Sequence, residues 1–427
     1  MNIKLYNARI LTMEENREIF MGEIWIKDDR IVYVGDGTEL PESCILWDKE
    51  IDCKGNLLMP GFKNAHTHSG MTLLRSFADD LPLNEWLNHQ VFPVEAQMTA
   101  EDIYELSKLA ILEYLTSGIT AAFDMYLTPE SIADAFDEMG MRCVQVGAVN
   151  NFSQSPELVE EMFLKLNHRS ALQSYILGFH AEYTCSKELL EKIAALSQKY
   201  KAPVFTHMAE TEAEVKGCIE RYGMTPVKLF ETLGMFEYGG GGYHCVHMTE
   251  DDIAIMRKRG LYAVTNPGSN TKLASGIAPI TEFLKAGVPV AIGTDGPASN
   301  NCLDMFREMF LVTGLAKLKQ KDASAVDAME VLKMATVNGA HAMGLMDADV
   351  LAEGKLADLI MIDLNQPNMQ PLNHIEKNLV YSGSKQNVIM TMIGGKILYE
   401  HGKFNTPEQP EDIYAKANQI INRIRNQ

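Results

Sequence analysis

No apolar run in this chain is long enough to span a bilayer, and Met1 to Ala8 carries no apolar signal core. Secretion and membrane insertion are not expected; a cytoplasmic location is. A Lys/Arg cluster is also missing. The 38 basic residues face 57 acidic ones, and the net charge of −19 repels phosphate backbones, so a nucleic-acid partner is set aside. There is no Cys-x-x-Cys pair. The cysteines, Cys44, Cys53, Cys143, Cys185, Cys218, Cys245 and Cys302, are odd in number and scattered. They read as reduced thiols, neither a disulfide framework nor a zinc ribbon. No Gly-x-Gly-x-x-Gly follows a first strand, so dinucleotide binding is not suggested.

What is present is an ordinary globular composition, 46% hydrophobic and 22% charged over 427 residues, enough for a sizeable core. Residues 1–58 alternate short apolar runs with turn residues and read as a small antiparallel β unit. Residues 347–427 repeat that texture around Gly394-Gly395 and add a surface helix over 413–424. Each piece alone is too thin to bury a core, so the two are expected to pair into one β-sandwich. Between them, residues 59–346 alternate strand-like and helix-like periods. Eight strand candidates, at 57–62, 120–124, 142–148, 175–179, 203–207, 243–246, 262–265 and 288–294, specify an α/β fold, a (β/α)8 TIM-like barrel with functional residues at the C-terminal strand ends. The run Gly239 to Gly242 reads as a loop.

Polar residues at those ends carry the chemistry. His66 and His68, at i and i+2, share a strand face, and His207 and Asp295 close two further strands. Three neutral imidazoles and a carboxylate suit one Zn2+, with Fe2+ or Mn2+ as alternatives, and a bound water activated for hydrolysis. His244 could be a ligand or a proton-handling neighbour; His247 reads as structural. Glu210, three residues past His207, stands where a general acid is needed, although Glu212 and Glu214 fit a helix N-terminus equally well. The fourth strand end offers His180 and no bridging lysine, which favours a single ion.

Pro-Gly-Phe-x-Asn-x-His-x-His (60–68), Thr-His-x-x-Glu-Thr (206–211), His-Cys-Val-His (244–247), Asn-Pro-x-Ser-Asn-x-Lys-Leu (266–273) and Gly-Thr-Asp-Gly-x-Ala-Ser-Asn-Asn (293–301) resemble the amidohydrolase superfamily. More narrowly they resemble its 5′-methylthioadenosine/S-adenosylhomocysteine deaminase branch. The resemblance implies zinc on His66, His68, His207 and Asp295, proton shuttling by Glu210, and water orientation by His244 with Asp295. The implied reaction is deamination at C6 of a 5′-substituted adenosine; the alternative is another superfamily aminohydrolase or chlorohydrolase acting on guanine, a pterin or a triazine. It further implies that Trp86 packs the 5′ group, Glu95 holds the ribose hydroxyls and His180 contacts the purine. Read from the residues alone, Trp86 suits a core position and Glu95 a surface charge. Arginines for a homocysteine carboxylate are not evident: 150–154 has none, leaving Arg142 and Arg169 to consider. The expected partner is a small-molecule nucleoside, and the chain itself is expected to be a homo-oligomer.

Overall fold

The computed structural model describes residues 1–38, 46–81 and 83–426, with backbone only at 83 and 84. Cys44 falls outside that description; the other six cysteines are free.

Seventeen strands form two sheets among the described residues. The first comprises β1 (Asn2–Ile10), β2 (Phe20–Lys27), β3 (Arg30–Gly35), β4 (Lys49–Asp52) and β5 (Leu57–Pro60) from the start of the chain. The far end adds β14 (Leu359–Ile362), β15 (Val388–Ile393), β16 (Lys396–Glu400) and β17 (Lys403–Phe404). The two ends meet where β14 runs antiparallel to β5, Leu359 opposite Pro60. The N-terminal unit is mixed, not antiparallel throughout, because β4 and β5 both run parallel to β1. The Lys54-Gly55 turn, with both residues at positive φ, is a jog between β4, which pairs with residues 3–6 of β1, and β5, which pairs further along the same strand at residues 9–10.

The second sheet is the parallel barrel: β6 (Phe62–Thr67), β7 (Ile119–Asp124), β8 (Arg142–Val146), β9 (Gln173–Ala181), β10 (Val204–Met208), β11 (Gly240–His244), β12 (Tyr262–Thr265) and β13 (Val290–Ile292). Two expectations shift. Residues 57–60 belong to the first sheet, so the opening barrel strand begins at Phe62. Gly240 to Gly242 are strand and only Gly239 is loop: a Cβ on Gly240 would sit 2.0 Å from the Val204 carbonyl oxygen, so only glycine lets β11 lie that close to β10. The barrel interior follows the period-2 rule, with Ala65, Ala121, Phe123, Val144, Val146, Phe205, Tyr243, Val264 and Ala291 pointing inward. Closure between β13 and β6 runs through Asn64, whose amide donates to Thr294 Oγ1 (2.7 Å) and accepts from the Thr294 backbone N–H (2.8 Å). The Asp295 N–H completes it by donating to the His66 carbonyl at 3.0 Å.

Helices follow the strands, several begun by a hydroxyl cap. Thr99 and Thr249 form capping boxes ahead of Ala100–Thr116 and Glu250–Arg259, and Ser155, Ser186, Thr211 and Thr225 cap four more. The Glu212–Tyr222 and Met305–Gln320 helices go beyond the sequence reading; both lie where the chain carries extra length after a strand. No helix among the described residues is long and apolar enough to cross a membrane.

The barrel floor is pinned to the first sheet by buried charge. Arg142, opening β8, pairs in two-pronged fashion with Asp358 just before β14, at 2.8 and 3.1 Å, and Asp358 also accepts the Gly394 N–H at 2.7 Å. Nearby Lys63 is wholly buried and donates to the Gly61 carbonyl (2.7 Å) and Thr120 Oγ1 (2.9 Å); burial pulls it down to about 8. Removing one member strands the other's charge in the interior. Asp358→Ala is therefore expected to cost about 3–5 kcal/mol, read as a lower urea midpoint, with kcat of the folded fraction unchanged.

Candidate metal centre and active site

Four side chains converge at the C-terminal mouth of the barrel. One ligand atom each from His66, His68, His207 and Asp295 lies within 4.8 Å of all the others, and all four residues are buried. His66, near the end of β6, lies flat against Tyr243 from β11, ring centroids 3.8 Å apart. His68 follows one residue after the strand. His207 is the fourth residue of β10, and Asp295 leaves β13 in a left-handed conformation, φ 58°. That unusual backbone turns its carboxylate inward instead of along the strand.

Each group is oriented from behind. His68 Nδ1 donates to the Met125 carbonyl and His207 Nδ1 to the His180 carbonyl at 2.7 Å. A carbonyl only accepts, so both rings present an unprotonated Nε2 when neutral. Asp295 Oδ2 accepts from Ser269 (2.6 Å) and Ser299 (2.7 Å), while Oδ1 accepts the Gly296 N–H (2.8 Å). Oδ1 also faces His68 Nε2 at 3.1 Å and His66 Nε2 at 3.5 Å. Burial alone would raise Asp295, but these imidazoles hold it well below the carboxylate range. Both ring nitrogens of His66 are buried without a hydrogen-bond partner, a costly arrangement for a polar ring. That orphaned donor, the borderline ligand types and their spacing fit Zn2+.

His244 closes β11 at φ 69°, so this strand runs over Gly240–His244 and not over 243–246. Its Nδ1 donates to Asn270 Oδ1 at 2.7 Å, leaving Nε2 as a base 4.0 Å from Asp295 Oδ2 and 3.9 Å from Glu210 Oε2. Glu210 is buried; burial raises its carboxyl, opposed by His244. Of the three carboxylates left open by sequence, Glu212 is exposed and pairs with Lys216. Glu214 instead accepts the backbone N–H groups of Ala209 and Glu210, both at 2.8 Å, and so sets the rim turn. His247 Nε2 donates to the Ser275 carbonyl at 2.8 Å, outside the cluster.

Above the cluster opens a cavity of about 730 Å³ whose walls include Trp86, Glu95, Tyr126, His180, Glu210 and His244. Trp86 is both wall and core, packed with Leu73, Leu74 and Val94. Glu95 is not a surface charge: the residue is half-buried with Oε1 enclosed beside Tyr126, and burial pushes its carboxyl up to about 7. His180 bonds Thr184 Oγ1 at 3.0 Å, and burial pulls it down to about 4. No Lys or Arg lines the cavity among the described residues. Arg142 is on the barrel floor and Arg169 pairs with Asp134 and Asp137. The positioners that carry no role in the sequence are Ser269, Asn270 and Ser299, all inside the 266–273 and 293–301 motifs; Glu214, read there as a helix N-terminal charge, also positions the rim.

The amidohydrolase family pattern matches residues 57–398, and the chain belongs to that family. A relative from Caldicellulosiruptor saccharolyticus, named 5-methylthioadenosine/S-adenosylhomocysteine deaminase, is 40% identical over 99% of both chains. One of the same name from Desulfitobacterium hafniense (strain DSM 10664 / DCB-2) is 43% identical over 94% of each. Among solved structures, an adenosine deaminase from Xanthomonas campestris with bound zinc superposes with a TM-score of 0.92 at 32% identity, covering 100% of this chain and 98% of that one.

Two measurements probe the cluster. His207→Ala is expected to lose bound zinc by elemental analysis while keeping its far-UV circular dichroism. For pH, burial pulls His68 down but Asp295 outweighs it and raises it to about 9. A metal must displace that proton, so zinc affinity is expected to rise with pH until about 9, with proton release on binding at pH 7 measurable in weak buffer.

Proposed function

We propose that this amidohydrolase is a zinc-dependent aminohydrolase that deaminates 5′-substituted adenosines in the cytoplasm, releasing ammonia and the inosine analogue. The observation that carries the reading is the placement of Glu210 and His244 beside the four-residue cluster at the base of a nucleoside-sized cavity. The full-length likeness to proteins named for this activity supports it.

His66, His68, His207 and Asp295 would hold the zinc ion, one per chain. When bound, such an ion lowers the pKa of a water from about 15.7 to near 7. The remaining steps fall to the chain's own side chains. His244 Nε2, its lone pair freed by the bond from Nδ1 to Asn270, takes a proton from the attacking water together with Asp295. Glu210, whose buried carboxyl favours the protonated form, delivers a proton to N1 of the purine as the water oxygen bonds to C6. The C6–N bond then breaks, and ammonia leaves with a proton returned through the same pair. His180 would contact the purine, Glu95 the ribose hydroxyls, and Trp86 the 5′ substituent.

The walls favour a neutral 5′ group. No Lys or Arg stands among the described lining of the cavity, so a homocysteine carboxylate would enter a poorly solvated space with no side-chain fork to pair it. Methylthioadenosine, 5′-deoxyadenosine and adenosine are expected to be turned over with higher kcat/KM than S-adenosylhomocysteine, followed by the loss of adenine absorbance. No absorbance change with any of the four would overturn the reading, and turnover of guanine, a pterin or a triazine in their place would redirect it. Glu210→Gln is expected to keep its zinc and lose about 10²- to 10⁴-fold in kcat.

A further inference from the structure

Glu308 lies outside the cavity and touches none of the groups assigned above. It sits in the first turn of the Met305–Gln320 helix and is completely buried. An acidic side chain is costly there, and among the described residues no Lys, Arg or His hydrogen-bonds to it. What it does bond is one backbone amide and one side-chain amide. Oε2 accepts the Gly268 N–H at 2.8 Å, and Oε1 accepts Asn300 Nδ2 at 2.8 Å.

Those two contacts lead to the two halves of the proton-handling pair. Gly268 lies in the short helix Pro267–Lys272, whose next residues are Ser269, bonded to Asp295 Oδ2, and Asn270, bonded to His244 Nδ1. The same Asn300 Nδ2 also donates to the Thr294 carbonyl at 2.7 Å, holding the backbone from which Asp295 projects. Thr294 is in turn fixed by Asn64 at the barrel seam. One carboxyl therefore ties the segment that orients His244 to the segment that carries Asp295. The fit leaves no slack: a Cβ on Gly268 would lie 2.4 Å from Glu308 Oε1 and 2.6 Å from Asn300 Oδ1.

We infer that Glu308 is a positioning residue for the hydrolytic step, fixing the His244 and Asp295 side chains relative to one another through Gly268 and Asn300. The inference rests on the proposed roles of His244 and Asp295. Its consequence falls on the His244–Asp295 pair, since none of Trp86, Glu95, His180 and the three histidine ligands hydrogen-bonds to Glu308, Gly268 or Asn300. Misalignment should slow the chemical step while substrate affinity stays as it was.

Two variants test it from opposite sides. Glu308→Gln keeps the shape but offers one acceptor oxygen to two donors; Gly268→Ala leaves the carboxyl intact and wedges a methyl group between it and the short helix. Each is expected to lower kcat for methylthioadenosine about 10- to 100-fold, with KM within about twofold, zinc content near one per chain and the fold retained. A second readout is independent of turnover. The imidazole Nδ1–H proton of His244, held by Asn270, should give a slowly exchanging NMR signal in the wild-type protein that is shifted or lost in both variants. If wild-type protein turns over no adenosine, the proposed function fails, and the NMR signal alone then decides the positioning inference. Variants that keep wild-type kcat per bound zinc, raise KM alone or leave the His244 signal unmoved would overturn it. Collapse of both into insoluble protein would also overturn it, marking Glu308 as a folding element only.

Discussion

The carboxylate of Asp295 is the constraint on which the rest depends. It faces two imidazoles, is gripped by two serine hydroxyls and its neighbour's N–H, and lies 4.0 Å from the candidate base. Its own backbone N–H also spans the seam to the His66 carbonyl. Shutting the barrel and assembling the site are thus one event, because the residue that completes the cylinder brings the last ligand. A register slip between the first and eighth strands would disturb both.

Around that carboxylate the interior separates charge by depth. The site end gathers His66, His68, His207, His244, Glu210 and Asp295; burial there pulls His66, His207 and Glu210 toward their neutral forms, while His68 and Asp295 hold each other charged. The floor gathers Arg142, Asp358 and Lys63 in a compact, hydrogen-bonded set. The apolar layers of Phe123, Phe205 and Tyr243 stand between them. This insulation lets the two charged sets serve different ends, one chemistry and the other attachment of the barrel to the outer sheet.

Much of this was legible in the sequence, and the parts that were not have physical causes. The His-x-His pair alone reads as two ordinary polar residues; it becomes legible as a ligand pair only because His207 and Asp295 also stand at the ends of apolar, strand-like runs. The glycine run defeated the propensity argument. Glycine is poor in strands, but here the closeness of β10 allows nothing larger. The expected first barrel strand falls early because Leu57 to Pro60 is the apolar run, whereas the true one, Phe62 to Thr67, carries Lys63, Asn64, His66 and Thr67 and shows no apolar pattern. Glu95 looked like a surface charge because local sequence does not reveal that a tertiary wall will cover it. Ser269, Ser299 and Asn270 sat inside quoted motifs without roles, since a hydroxyl or amide gains meaning only from the group it faces across the fold.

The pairing of the two chain ends has a consequence for the order of assembly. Strand β5 emerges early in synthesis, while its antiparallel neighbour β14 lies beyond the whole barrel. At bacterial or eukaryotic elongation rates of about 5–20 residues per second, that edge waits for tens of seconds. Through that interval Leu57 to Pro60 presents unsatisfied peptide groups beside an apolar surface, the pattern that invites pairing with a foreign strand. The ribosome-bound nascent chain, more than the finished molecule, is where this fold is exposed to error, and chaperone capture of the N-terminal unit would relieve it.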